Sequence, residues 1–204
     1  MTSTVSPLVC PPGYRGLPPL AAPYIADVEA AVARWAPAVA PTDTIAVIDV
    51  YTVFAVMSRE SGFGRYLVPS GPAGTGDGGH GLGLMQLDDR YHPGDLKDPE
   101  GRANADWVRL TRGDGVPLWQ LPAENIGRGV WQLATTLKLL GNLPAAICAY
   151  NAGVVRAREV LDTVAGSVTS VDGLVHALDQ WTTGRDYVAD VLRRRSEFLS
   201  PKGA

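Results

Sequence analysis

Several residue classes that mark common functions are scarce in this chain. Only two cysteines, Cys10 and Cys148, occur in 204 residues, which leaves at most a single bridge and no disulfide framework. The three histidines, His80, His92 and His176, have no ligand spacing with one another or with a cysteine, so no metal site is expected. Basic residues are not in excess: 18 Lys and Arg stand against 21 Asp and Glu, which argues against a nucleic-acid surface. The one basic run, Arg193-Arg194-Arg195, reads as a solvated helix face near a C-terminus, where cations suit the helix dipole. Long apolar runs are absent as well. The most apolar window, Ile45 to Met57, is too short to span a bilayer and contains Asp49, so membrane insertion is not expected. No Lys or Arg precedes Arg15 and no unbroken apolar segment follows the first residue, so no secretory signal is read and localisation stays unknown.

Glycine (23) and proline (16) are abundant, against roughly 14 and 10 from average usage, so long irregular loops accompany whatever is regular. With 46% hydrophobic residues the chain has the profile of one globular domain with a sizeable core. The prolines of residues 1–22 describe an N-terminal arm, and residues 23–204 a single domain. Ile25, Val28, Val32 and Trp35 recur at helical spacing, and residues 44–60 are apolar nearly all round, as in a central buried helix. A glycine-dense stretch at 61–83 predicts a loop or small irregular β-hairpin. Ile126, Val130, Leu133, Leu137 and Leu140 define the clearest helix, stopped by Gly141. Further helices are expected at about 143–150, 153–164, 171–180 and 184–199. The whole is a mainly α domain with one glycine-rich lobe after its central helix.

Glu60 closes the central apolar helix beside the glycine-rich stretch. Desolvation there raises a carboxyl pKa and suits it to act as a general acid; on position alone, a helix-terminal glutamate paired with Arg59 or fully solvated is the commoner reading. Asp77 and Asp88 are carboxylates either of which can face Glu60 across a cleft if the loop folds back, as an inverting glycosidase requires; read alone, each is more often a turn or capping residue. Asp49 lies about three turns before Glu60 along the same expected helix and reads as a partnered buried aspartate. Gly74-Thr75-Gly76-Asp77-Gly78-Gly79 matches G-x-G-x-x-G, but no strand precedes it and no helix opens on it, which excludes a dinucleotide role. Trp107, Trp119, Trp131 and Trp181 read mainly as core residues, with sugar stacking the alternative.

The strings Ser58-Arg59-Glu60-Ser61, Asp77-Gly78-Gly79-His80-Gly81-Leu82-Gly83-Leu84-Met85-Gln86-Leu87-Asp88, Arg90-Tyr91-His92, Ala149-Tyr150-Asn151-Ala152-Gly153 and Asp186-Tyr187 resemble goose-type lysozyme, in the same order. The E-S, G-L-M-Q and A-Y-N-A-G elements are shared with lytic transglycosylases, whereas the aspartate after the G-L-M-Q-x element and the R-Y-H resemble the goose-type branch. The resemblance covers roughly residues 44–198.

It implies a lysozyme-like α+β fold, a helical domain with a small glycine-rich β-hairpin lobe lining the substrate cleft. It also implies cleavage of the β-1,4 bond between N-acetylmuramic acid and N-acetylglucosamine in peptidoglycan. By the same resemblance Glu60 is the general acid, Asp88 and Asp77 position the water of an inverting reaction, and Met85, Gln86, His92, Tyr150, Asn151 and Tyr187 serve the substrate cleft. No cofactor is implied, the partner is the peptidoglycan glycan strand, and a monomer is expected. The segment between Glu60 and Asp77 is a few residues longer than expected of vertebrate goose-type enzymes; the slight acidity implies weaker attraction to the anionic wall or a surface with separated charge, and two cysteines cannot form the disulfides of secreted goose-type enzymes, which suggests a bacterial or phage version. The alternatives are a lytic transglycosylase forming anhydro-muropeptides and a non-catalytic glycan-binding or virion module.

Overall fold

The computed structural model describes residues 10–35, 47–92 and 94–200. Its helices are α1 (Ile25–Trp35), α2 (Val50–Ser61), α3 (Asn104–Trp107), α4 (Pro122–Leu140), α5 (Leu143–Ala152), α6 (Val154–Val164), α7 (Val171–Asp179) and α8 (Tyr187–Leu199). Three two-residue strands, β1 (Thr75–Gly76), β2 (Gly81–Leu82) and β3 (Leu87–Asp88), pair antiparallel in the order β1-β2-β3. The architecture is mainly α, with the expected glycine-rich hairpin lobe between α2 and α3.

Helix α2 is the central element. Val53, Phe54, Ala55, Val56 and Met57 are all fully buried, which explains a sequence that is apolar on nearly every face. It starts later than the apolar pattern suggested. Residues 44–46 lie outside the described residues, 47–49 are not helical, and the helix opens at Val50. The reason is Asp49, whose Oδ1 accepts the Thr52 N–H at 2.7 Å and so caps the helix instead of lying within it. Gly62 ends it in the left-handed region at φ 55°, its N–H returning to the Ser58 carbonyl.

Helix α8 packs along α2, and polar pairs set their register. Arg195 bonds Asp49 at 2.6 Å, Arg194 donates to Ser58 Oγ at 2.8 Å, and Arg59 reaches Asp186 at 2.7 Å and Asp190 at 3.0 Å. The basic run is therefore only partly a solvated face: Arg193 is exposed, but Arg194 and Arg195 turn inward because α2 offers acceptors there. The start of α8 is capped from α7. Buried Asp179 accepts from Val188 N at 2.7 Å and Ala189 N at 3.0 Å, satisfying two backbone donors that the helix itself cannot.

Helix α4 carries the predicted stripe, buried at Ile126, Val130, Leu133, Leu137 and Leu140, and Gly141 closes it at φ 65°. Its Asn125 holds the hairpin lobe down. The side-chain Oδ1 accepts from Met85 N at 2.8 Å and Nδ2 donates to the Leu82 carbonyl at 3.0 Å, with no part of the residue exposed. Both cysteines are free. Among the described residues no helix is long and apolar enough to cross a membrane.

Candidate active site

The C-terminal end of α2, the hairpin lobe, the end of α5 and the start of α6 surround a cleft of about 760 Å³. Glu60 lines it from the last turn of α2. Its Oε1 accepts the hydroxyl hydrogen of Tyr187, the first residue of α8. Burial pushes the Glu60 carboxyl up to about 7, and the Tyr187 bond and the Arg59 charge only partly pull it back. Tyr150, at the end of α5, lines the same cleft and donates to the Met85 carbonyl at 2.7 Å. Burial first, and then the neighbouring Glu60 carboxylate, hold the Tyr150 and Tyr187 phenols protonated. Glu60 is thus a carboxyl that keeps its proton near neutral pH in a fixed rotamer.

The hairpin lobe brings two more carboxylates to the cleft, Asp77 just after β1 and Asp88 at the end of β3. One cation joins them. Arg90 donates to Asp77 Oδ2 at 2.6 Å and to Asp88 Oδ2 at 2.6 Å, while its Nε reaches Asp88 Oδ1 at 2.9 Å. Asp88 also accepts the Arg90 backbone N–H at 2.8 Å and lies 3.2 Å from His92 Nε2. Desolvation pushes Asp88 upward, but the Arg90 side-chain and backbone bonds and the His92 contact outweigh it, and the carboxyl is held at about 2. Between about pH 2 and pH 7 the site therefore pairs a protonated carboxyl with an ionised one.

Residues 43–170 match the transglycosylase SLT domain family. The chain belongs to that family. It is also similar to goose-type lysozymes: 31% identical over 151 residues to Lysozyme G of Dromaius novaehollandiae, covering 74% of this chain and 59% of that protein. Lysozyme g of Casuarius casuarius is 30% identical over 151 residues, again 74% of this chain and 65% of the relative. The chain spans about six-tenths of the length of the curated relatives it matches.

In this SLT domain Glu60, Asp77, Asp88, Gln86, His92, Tyr150 and Asn151 line one cleft, and Tyr187 reaches it through Glu60. Met85 does not line it. Its side chain is fully buried and packs against Gly129 of α4, so what it offers the site is a carbonyl for Tyr150. Gln86 braces the lobe from within: at a positive φ of 48°, its Nε2 donates to the Gly81 carbonyl at 3.1 Å and the Gly83 carbonyl at 2.8 Å. A Cβ built on Gly76 or Gly81 would lie 2.2 or 2.3 Å from Gln86 Oε1, so a side chain at either position would displace the Gln86 amide from its bracing bonds. Asn151 Oδ1 accepts from Thr183 N at 2.8 Å, which ties the loop before α8 to the end of α5.

Of the four tryptophans considered for stacking, Trp107 and Trp131 are buried and hold the Arg128 guanidinium between them, at 5.7 and 4.0 Å from the ring centroids. Trp119 is half-buried, and Trp181 is 53% exposed with Arg156 over its ring at 4.1 Å. Sequence reasoning missed the residues that position others: Arg90 between the two aspartates, Asn125 beneath the hairpin and Asp179 beneath Tyr187. Arg90 was visible as part of the R-Y-H element; Asn125 and Asp179 carried no local signal, because their partners are 40 or more residues away for Asn125 and 9 or 10 away for Asp179.

Proposed function

We propose that this domain cleaves the β-1,4 bond between N-acetylmuramic acid and N-acetylglucosamine of peptidoglycan by hydrolysis, with Glu60 as general acid. The observation that carries this reading is the protonated Glu60 carboxyl, oriented by Tyr187, in the same cleft as the ionised Asp88. Glycosidic cleavage needs a proton on the leaving oxygen as the bond breaks, and a carboxyl poised near the working pH supplies it best.

Asp88 and Asp77 act on the opposite side. A carboxylate held at about 2 is a weak base, so Asp88 orients the attacking water and stabilises the oxocarbenium-like charge of the transition state, taking the water's proton only as its oxygen becomes acidic on bonding to carbon. Water entering from that side inverts the anomeric centre. The similarity to goose-type lysozymes supports hydrolysis, since both aspartates stand in the hairpin string by which this sequence resembles them.

A second reading has its own observation. Arg90 already occupies oxygens of both aspartates, and a lytic transglycosylase, in which the muramyl 6-hydroxyl attacks in place of water, needs only the acid. Mass spectrometry of purified peptidoglycan after incubation with the protein separates the two. Reducing-end muropeptides from wild type and none from Glu60→Gln are expected. Anhydro-muropeptides would replace the hydrolytic reading with the transglycosylase one, and intact glycan from both proteins would leave a wall-docking module.

A further inference from the structure

A chain of polar contacts on the cleft wall opposite in sequence to the catalytic lobe has a polarity that chemistry alone fixes. Arg128 of α4 is buried, salt-bridged to Asp98 at 3.0 Å and packed on Trp131. Its Nε donates to Asn104 Oδ1 at 2.9 Å, and Asn104 Nδ2 donates to Gln132 Oε1 at 2.8 Å. A guanidinium has donors and no acceptor, so Asn104 must present its oxygen to Arg128 and its NH₂ to Gln132. Gln132 must then present its oxygen to Asn104, and the group left over is its own NH₂. Asn104 and Gln132 both line the cleft that holds Glu60. Among the described residues, Gln132 Nε2 makes no hydrogen bond to protein.

We propose that Gln132 Nε2 donates a hydrogen bond to a carbonyl oxygen of the bound glycan strand, with Arg128 and Asn104 as the positioning residues that keep its NH₂ turned to the cleft. The proposal rests on the glycan-cleaving reading of this cleft. A donor whose orientation is locked by a buried cation favours an acceptor that cannot itself donate, and it discriminates strongly against a site partner of the wrong polarity. Carbonyls of this kind occur in the strand as acetamido groups on every sugar and as the lactyl amide where a peptide stem is attached.

The test measures binding by titration calorimetry in the Glu60→Gln background, so that no ligand is consumed, with chitohexaose as one probe and a peptide-bearing muropeptide tetrasaccharide as the other. Gln132→Glu keeps the oxygen that Asn104 needs and turns the cleft-facing donor into an acceptor. Asn104→Asp keeps Gln132 but removes the donor that orients it, so Gln132 flips and offers its oxygen to the cleft. Both variants are expected to weaken binding about tenfold or more, with unchanged melting temperatures showing that the fold is intact. Weakening on both probes identifies the acetamido carbonyl, and weakening on the peptide-bearing probe alone identifies the lactyl amide. Binding as tight as the parent's in both variants overturns the proposal, and a loss in Gln132→Glu without one in Asn104→Asp overturns the positioning role. A parent that binds neither probe overturns the glycan reading itself, and the donor assignment with it.

Discussion

The phenolic hydroxyl of Tyr187 bonds Glu60 Oε1, joining the first turn of α8 to the last turn of α2. The bond fixes the carboxyl rotamer while burial sets its proton affinity, and the two act in opposite directions on the pKa: burial raises it and the Tyr187 bond lowers it. Tyr187→Phe therefore separates them. Loss of one hydrogen bond worth about 1 kcal/mol moves the alkaline limb of the pH-rate profile up by about 0.7 pH unit. The freed rotamer lowers kcat about tenfold. A limb that stays in place or moves down contradicts this division of labour.

Arg90 is expected to control the acid side of the same profile. With Asp88 held at about 2, wild type should show no acid limb attributable to Asp88 above pH 3. Arg90→Gln removes the cation between two carboxylates, so the Asp88 pKa rises and the carboxylates repel each other. Activity should fall at least tenfold near pH 5 and recover in part toward neutrality. An unchanged profile in that variant means that Arg90 does not set the charge of Asp88.

Glu60 carries a stability cost that pH reveals. Its native pKa of about 7 lies above the ordinary 4.5, so between those values the native state binds the proton more tightly than the unfolded chain does. This contribution is fully present below pH 4.5 and is lost as pH rises through 7. Glu60→Gln should therefore be more stable than wild type by about 3 kcal/mol at pH 8, with the difference vanishing near pH 4. Urea unfolding at the two pH values measures it, and equal stability at pH 8 counts against the raised pKa.

Asp179 is expected to matter to catalysis from beneath the site. Asp179→Ala strips the N-terminal donors of α8 of their cap at a cost of about 2 kcal/mol, and it loosens Tyr187 at the head of that helix. Melting temperature and kcat should fall together, and Asp179→Asn should restore part of both by keeping an acceptor oxygen. A stable Asp179→Ala protein with full kcat would show that Tyr187 is held by other contacts.

Much of this was legible in the sequence, and the boundary has physical causes. The stripe from Ile126 to Leu140 and the stop at Gly141 announced α4, because periodicity and a left-handed glycine are local signals. Glu60 was legible as a desolvated acid from its place at the end of an apolar helix. The start of α2 was not, since Ile48 is as apolar as the helix that follows, and only the cap geometry of Asp49 marks the true boundary. Met85 was misplaced because a motif gives position along the chain and not the side a residue faces. The inward turn of Arg194 and Arg195 depended on acceptors at Asp49 and Ser58, more than a hundred residues earlier. Arg128 and Gln132 were hidden for the same reason: Asn104 and Asp98 meet them only across the fold.

The most direct measurement is the titration of the Glu60 carboxyl by carbon-13 NMR, with the resonance assigned from its absence in Glu60→Gln. A midpoint near 7, matched by the alkaline limb of kcat/KM on peptidoglycan, is the expected result and makes Glu60 the proton donor at neutral pH. A midpoint near 4.5 would leave the carboxyl ionised at that pH and contradict its role as the acid.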